Sequence, residues 1–92
     1  MNEFYVYILT CSDGSYYTGH TDNMDKRFAE HKAGAFDGYT STRLPVKLVY
    51  MEMFHTRDEA FIAERKIKGW SRRKKEILIQ KGWDALIKIK QI

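Results

Sequence analysis

The first run dense in apolar positions, EFYVYILTC, is rich in aromatic and β-branched residues, and SYYTGH resumes that character after Ser12-Asp13-Gly14. This pattern predicts two strands of a hairpin. Two turns suit the intervening residues. A two-residue Asp13-Gly14 loop pairs Thr10 with Tyr17 and puts Tyr7 and Tyr17 on opposite faces. A three-residue Ser12-Asp13-Gly14 loop with a left-handed Gly14 pairs Leu9 with Tyr17 and Tyr7 with Gly19, so that both tyrosines share a face. Gly19 itself needs a reason, because glycine weakens a strand interior and marks either a bulge or a close approach.

Downstream the spacing becomes helical. From Asp22 as N-cap, NMDKRFAEHKAG reads as a helix closed by Gly34, with Met24 and Phe28 toward the core and Arg27 and His31 at the boundary with solvent. Residues 35–45 lack periodicity and hold glycine and proline, as a loop does; VKLVYMEMF then reads as a strand. Thr56-Arg57-Asp58-Glu59 is a capping box opening a helix with Ala60, Ala63, Ile67 and Trp70 on one stripe and Glu64 to its side. Ser71 caps a further helix, RRKKEILIQK, stopped at Gly82. The predicted class is α+β, order β-β-α-β-α-α, a small antiparallel sheet covered by helices. The expected organisation is one domain over 1–82 and a tail over 83–92 that packs through Trp83, Leu86 and Ile87.

Composition narrows the picture slightly. A chain of 92 residues buries roughly 60–65% of its unfolded surface, enough for one core. Its 43% hydrophobic content excludes a disordered chain. The formal charge of +4 favours polyanionic partners. The lone Cys11 excludes an internal disulfide and a multi-cysteine zinc site, and fits a reducing compartment. The N-terminal run has no basic flank and is too short for a signal peptide or a membrane span, so a cytoplasmic protein without membrane contact is expected.

Tyr5-Val6-Tyr7, then Tyr17-Thr18-Gly19, then Arg27 on the first helix and Glu64 on a later one resemble the GIY-YIG nuclease superfamily, in order across residues 4–81. The loop pattern of Tyr39-Thr40 and Arg43-Leu44-Pro45 resembles the small single-domain bacterial members in particular. Tyr5, Thr18, His20 and His31 stand where the superfamily pattern has glycine, isoleucine, often lysine and sometimes tyrosine. The resemblance implies a three-stranded antiparallel sheet flanked by helices and a divalent-metal-dependent endonuclease. Tyr7 and Tyr17 are then the motif tyrosines, Tyr17 the general base, Gly19 the motif glycine, Arg27 the helix arginine, and Glu64 the ligand of a single Mg2+ or Mn2+ ion. His20 and His31 join these as catalytic candidates.

Phosphodiester hydrolysis suits such groups: the arginine fork matches two phosphate oxygens, and a metal on Glu64 serves the phosphoryl and leaving oxygens. A tyrosine with a reference pKa of about 10 needs nearby positive charge to act as a base at neutral pH. Arg27, the metal and a protonated His20 are the expected sources. With the three-residue loop, the absent side chain at Gly19 leaves room for the Tyr7 ring beside Tyr17.

Each signal alone has an ordinary reading, a packing tyrosine or a surface ion pair between Glu64 and Lys68; their order and spacing together select the nuclease. Residues 64–75 hold seven Lys or Arg. Arg65, Lys68, Arg72, Arg73 and Lys74, with Arg43 from the loop, are the expected contacts to the nucleic-acid backbone. DNA is placed ahead of RNA, the chain as a monomer, and a targeting protein as a further partner. The alternative is a nucleic-acid-binding module on the same scaffold without turnover.

Overall fold

A computed structural model describes residues 3–35 and 38–82. The tail and its Trp83, Leu86 and Ile87 lie outside the described residues. The elements are β1 (Phe4–Thr10), β2 (Tyr16–Thr21), α1 (Met24–Lys32), β3 (Lys47–Phe54), α2 (Arg57–Lys68) and α3 (Arg72–Lys81). They form one three-stranded antiparallel sheet of order β2-β1-β3, in the α+β arrangement expected.

The hairpin takes the three-residue loop. Cys11 N–H donates to the Ser15 carbonyl at 2.8 Å, and Gly14 turns at φ 84° with its N–H on the Cys11 carbonyl at 2.9 Å. A left-handed position of that kind suits glycine. Leu9 therefore opposes Tyr17 and Tyr7 opposes Gly19.

The central strand β1 is buried on both faces. Val6 and Ile8 pack with Ala60, Ala63 and Ile67 of α2 and Leu78 of α3. Tyr7 and Leu9 pack on the other face with Met24 of α1, Val46 and Cys11. A register shift after Ile8 lets Leu48 oppose Leu9 although Tyr50 opposes Ile8, so both layers stay filled where β3 bends.

α1 begins one residue later than the sequence predicts. Asn23, not Asp22, is its N-cap and accepts from Lys26 N–H at 3.1 Å. Thr21 Oγ1 accepts from Asn23 N–H at 3.1 Å and holds it in the capping position, while Asp22 faces outward to Arg57. At the other end Gly34 N–H reaches the His31 carbonyl and Ala35 N–H the Glu30 carbonyl, with Gly34 at φ 72°, a Schellman closure. Thr56 and Ser71 cap α2 and α3 as expected, accepting from Glu59 and Lys74 N–H at 3.1 and 3.2 Å. Among the described residues no helix is long and apolar enough to cross a membrane.

Candidate active site

Strand alternation divides the candidate residues between the two faces of the sheet, and the edge strand β2 carries Tyr17 toward one face and His20 toward the other. Tyr7, Tyr17, Arg27 and His31 belong to the α1 side. His20 lies one position on from Gly19, points to the opposite side, and meets Glu64 of α2.

Gly19 sits at the centre of the first group. A Cβ there would stand 2.6 Å from the Tyr7 hydroxyl, 2.8 Å from its ring and 3.1 Å from the Tyr17 ring. No side chain fits at those separations. What approaches Gly19 is the pair of phenols, whose ring centroids are 6.3 Å apart.

His31 departs from its expected place at the solvent boundary: it is fully buried. The loop after α1 folds over it and brings the hydroxyl of Thr40, 1% exposed, to 2.8 Å from His31 Nδ1. Its Nε2 lies 2.8 Å from the Tyr7 hydroxyl. The same loop lays the Tyr39 ring beside Tyr17, centroids 6.2 Å apart. Neither Tyr39 nor Thr40 stood out as a site residue in the sequence, although the loop pattern contains both.

Burial dominates the acid–base character of this side. It pushes the Tyr7 phenol far above its ordinary value, an effect that the neighbouring Tyr17 reinforces and Arg27 opposes. It also raises Tyr17, against the pull of Lys68 and Arg27, whereas the sequence leads one to expect positive charge to lower it. Burial and the Arg27 charge push His31 below the ordinary imidazole value, favouring the neutral ring. Arg27 is part-exposed and pairs with Glu30 at 3.3 Å, and its positive charge opposes the rise of the Tyr7 phenol.

On the α2 side the Glu64 carboxylate is 10% exposed. His20 Nδ1 contacts one oxygen closely, and Lys68 Nζ lies 2.6 Å from the other. Phe61, Glu64, Arg65 and Lys68 line a cavity of about 310 Å³. Phe61 is an exposed aromatic set edge-on to His20, a neighbour of the site that the helical pattern did not mark. Among the described residues no three His, Cys, Asp or Glu side chains gather as a metal cluster. A single carboxylate fits a hydrated Mg2+, which keeps several waters and binds through one or two carboxylates and substrate phosphate. The Lys68 ammonium marks where Glu64 attracts a cation, and being 52% exposed it can move aside.

The expected phosphate contacts separate into groups. Arg65 and Lys68 border the Glu64 cavity. Arg72 instead donates to the Gly14 carbonyl at 2.8 Å, pairs with Glu76, and covers the Tyr16 ring, which ties α3 to the hairpin turn. Lys74 lies over Trp70, and Arg73 is exposed on the same helix. Arg43 is held by Asp13 at 3.1 Å and stacks on Tyr39 at 3.8 Å, so its first role is to shape the loop.

A hairpin whose two tyrosines close on one glycine, an arginine on the next helix and a glutamate on a later one define a GIY-YIG domain, and the chain belongs to that family. The GIY-YIG catalytic domain family matches residues 3–76. Within it the chain is similar to proteins named UPF0213. It is 48% identical to UPF0213 protein SSP2268 of Staphylococcus saprophyticus over 82 residues, which cover 89% of this chain and all of that one. It is 47% identical to UPF0213 protein HQ_3675A of Haloquadratum walsbyi over 85 residues, 91% of this chain and 96% of the relative. The solution NMR structure of UPF0213 protein BH0048 from Bacillus halodurans superposes with a TM-score of 0.58 at 46% identity, covering 87% of this chain and 86% of that one. Protein EF2693 from E. faecalis gives 0.60 at 38% identity, with 87% and 85% covered.

Proposed function

We propose that this chain is a cytoplasmic, monomeric, divalent-metal-dependent endonuclease that hydrolyses phosphodiester bonds in DNA. The observation that carries this reading is the convergence of Tyr7 and Tyr17 on Gly19, which only a glycine at that position permits.

Tyr17, acting as its phenolate, positions the attacking water and takes up its proton to become the neutral phenol, Tyr7 orients Tyr17, and Arg27 grips the phosphate with its planar fork. Glu64 holds a Mg2+ or Mn2+ ion, which when bound supplies Lewis-acid stabilisation of the charge developing on phosphate oxygens. His20 contacts one Glu64 oxygen and fixes the orientation of the carboxylate, as outer groups do for metal ligands. Arg65 and Lys68 at the cavity, and Arg73 and Lys74 on α3, attract the nucleic-acid backbone. Little of so small a chain remains for reading base edges, which supports action selected by nucleic-acid structure or by a targeting protein.

Burial that raises the Tyr17 phenol favours a second reading, a binding module without turnover. Incubation with labelled duplex, branched and single-stranded DNA and RNA, with magnesium, manganese or chelator, separates the two. The nuclease reading predicts cutting of DNA that chelator abolishes and Tyr17→Phe strongly reduces. Binding without cutting under every condition sinks it.

A further inference from the structure

Two stripes run along α2. Ala60, Ala63 and Ile67 point into the core. Phe61, Glu64, Arg65 and Lys68, spaced i, i+3, i+4 and i+7 and so on one helical face, line the cavity instead. That face presents an aromatic ring, a carboxylate and two cations together. Phe61 is 44% exposed and takes part in neither core cluster among the described residues. A lone apolar side chain on a surface needs no explanation. Phe61 is not placed at random, because it shares its cavity with the carboxylate proposed to hold the metal. Its ring lies 5.7 Å from the His20 ring at an interplanar angle of 68°, and His20 contacts Glu64. Ring and carboxylate are thus set in relation to each other, separated by roughly 4.5 Å of helical rise.

A nucleotide has one part for each group on this face: phosphate oxygens for the cations and the metal, and a flat base for the ring. Stacking on an aromatic side chain suits any base, since every base has a π-face. In an intact duplex those faces are covered by neighbouring bases, so a protein ring reaches one only where a nucleotide is unpaired or turned out of the stack.

We propose that Phe61 is a specificity-determining residue whose ring stacks on the base of an unpaired nucleotide, making DNA with an unpaired segment, rather than intact duplex, the substrate class. Arg65, exposed and 5.6 Å from the Phe61 ring centroid, closes over the other face of that base, and Lys68 meets its phosphate. The consequence for cleavage rests on the nuclease reading above; the stacking itself does not.

Fluorescence anisotropy in chelator compares binding of a labelled oligothymidine of about eight nucleotides with that of an abasic chain of equal length and charge. The wild type is expected to bind the base-bearing strand about tenfold more tightly, the scale of one stacked base. Phe61→Ala and Phe61→Leu are expected to bind both alike, and Phe61→Trp to keep the preference. Leucine retains apolar bulk without a ring, so it separates stacking from a merely apolar contact. A wild type indifferent to the bases, or a folded Phe61→Leu that keeps the full preference, overturns the proposal. With magnesium, the wild type is expected to cut single-stranded DNA ahead of matched duplex, and Phe61→Leu to lose that bias. Cutting of duplex alone overturns the substrate class and leaves the nuclease standing. Base-dependent binding lost in Phe61→Leu, with no cutting under any condition, upholds the stacking and sinks the nuclease.

Discussion

At the residue scale the site depends on volume withheld as much as on groups supplied. The backbone at Gly19 is not in the left-handed region, so alanine there meets no conformational strain. It meets the Tyr7 hydroxyl at 2.6 Å instead. Gly19→Ala is expected to destabilise the fold by about 1–3 kcal/mol, the usual cost of overpacking, and to remove cleavage by displacing a phenol. Urea unfolding beside an activity assay checks this; a variant of wild-type stability and activity refutes the close approach.

His31 gives the site a pH signature. Burial first, then Arg27, lower its pKa in the fold, and Glu30 opposes them. The unfolded chain therefore binds a proton more readily than the folded one near the ordinary imidazole value of about 6.5. Stability is fully present above that pH and is lost as pH falls through and below it. Urea midpoints between about pH 7.5 and about pH 5, values set by the ordinary histidine range, should fall more steeply for the wild type than for His31→Gln. Parallel slopes would show that His31 does not titrate between the two states.

At the element scale the helices owe their limits to local chemistry that the sequence displays. Thr56 caps α2, the helix that carries Glu64. Thr56→Ala is expected to cost about 1 kcal/mol by urea unfolding while leaving cleavage per folded molecule unchanged. A loss of activity without a loss of stability would mean that Thr56 does something other than cap. The element order, both predicted caps of α2 and α3 and the closure of α1 at Gly34 were legible because cap residues and apolar stripes act over one or two turns. The hairpin register was legible only to two choices, since Asp13-Gly14 serves either loop. Packing of Tyr7 against Gly19 and His31 selects between them. Asp22 and Asn23 cap equally well in isolation, and the Thr21 hydroxyl decides for Asn23. The burial of His31 could not be read from helical phase, because the loop that covers it comes later in the chain and has no periodicity. The partnership of His20 with Glu64, 44 residues apart, is a tertiary contact of the same kind.

At the scale of the whole molecule, the two groups of candidate residues lie on opposite faces of the sheet, and the proposed nuclease requires them to reach a common substrate around the edge strand β2. The fold thus separates a buried hydrogen-bonded side from a charged side that faces the cavity. The net charge of +4 supports binding to a polyanion, but its arrangement matters more than its sum. Arg72 is committed to the hairpin turn, whereas Arg65 borders the Glu64 cavity. Arg65→Gln with Arg73→Gln is expected to weaken DNA binding and to reduce the slope of log K against log salt by about 1 for each phosphate that is no longer neutralised. Fluorescence anisotropy over a salt series measures it; an unchanged slope removes both residues from the interface.

Glu64 and the tyrosine pair, on their two sides of the sheet, are proposed to form one hydrolytic site. That unity is best tested by comparing wild type and Glu64→Ala under single-turnover conditions on labelled DNA, with magnesium and with chelator, alongside anisotropy and thermal unfolding of both. Magnesium-dependent cutting by the wild type and none by Glu64→Ala, with DNA affinity and folding retained, is the expected result. Full cutting by a folded Glu64→Ala variant, or wild-type cutting indifferent to chelator, would contradict it.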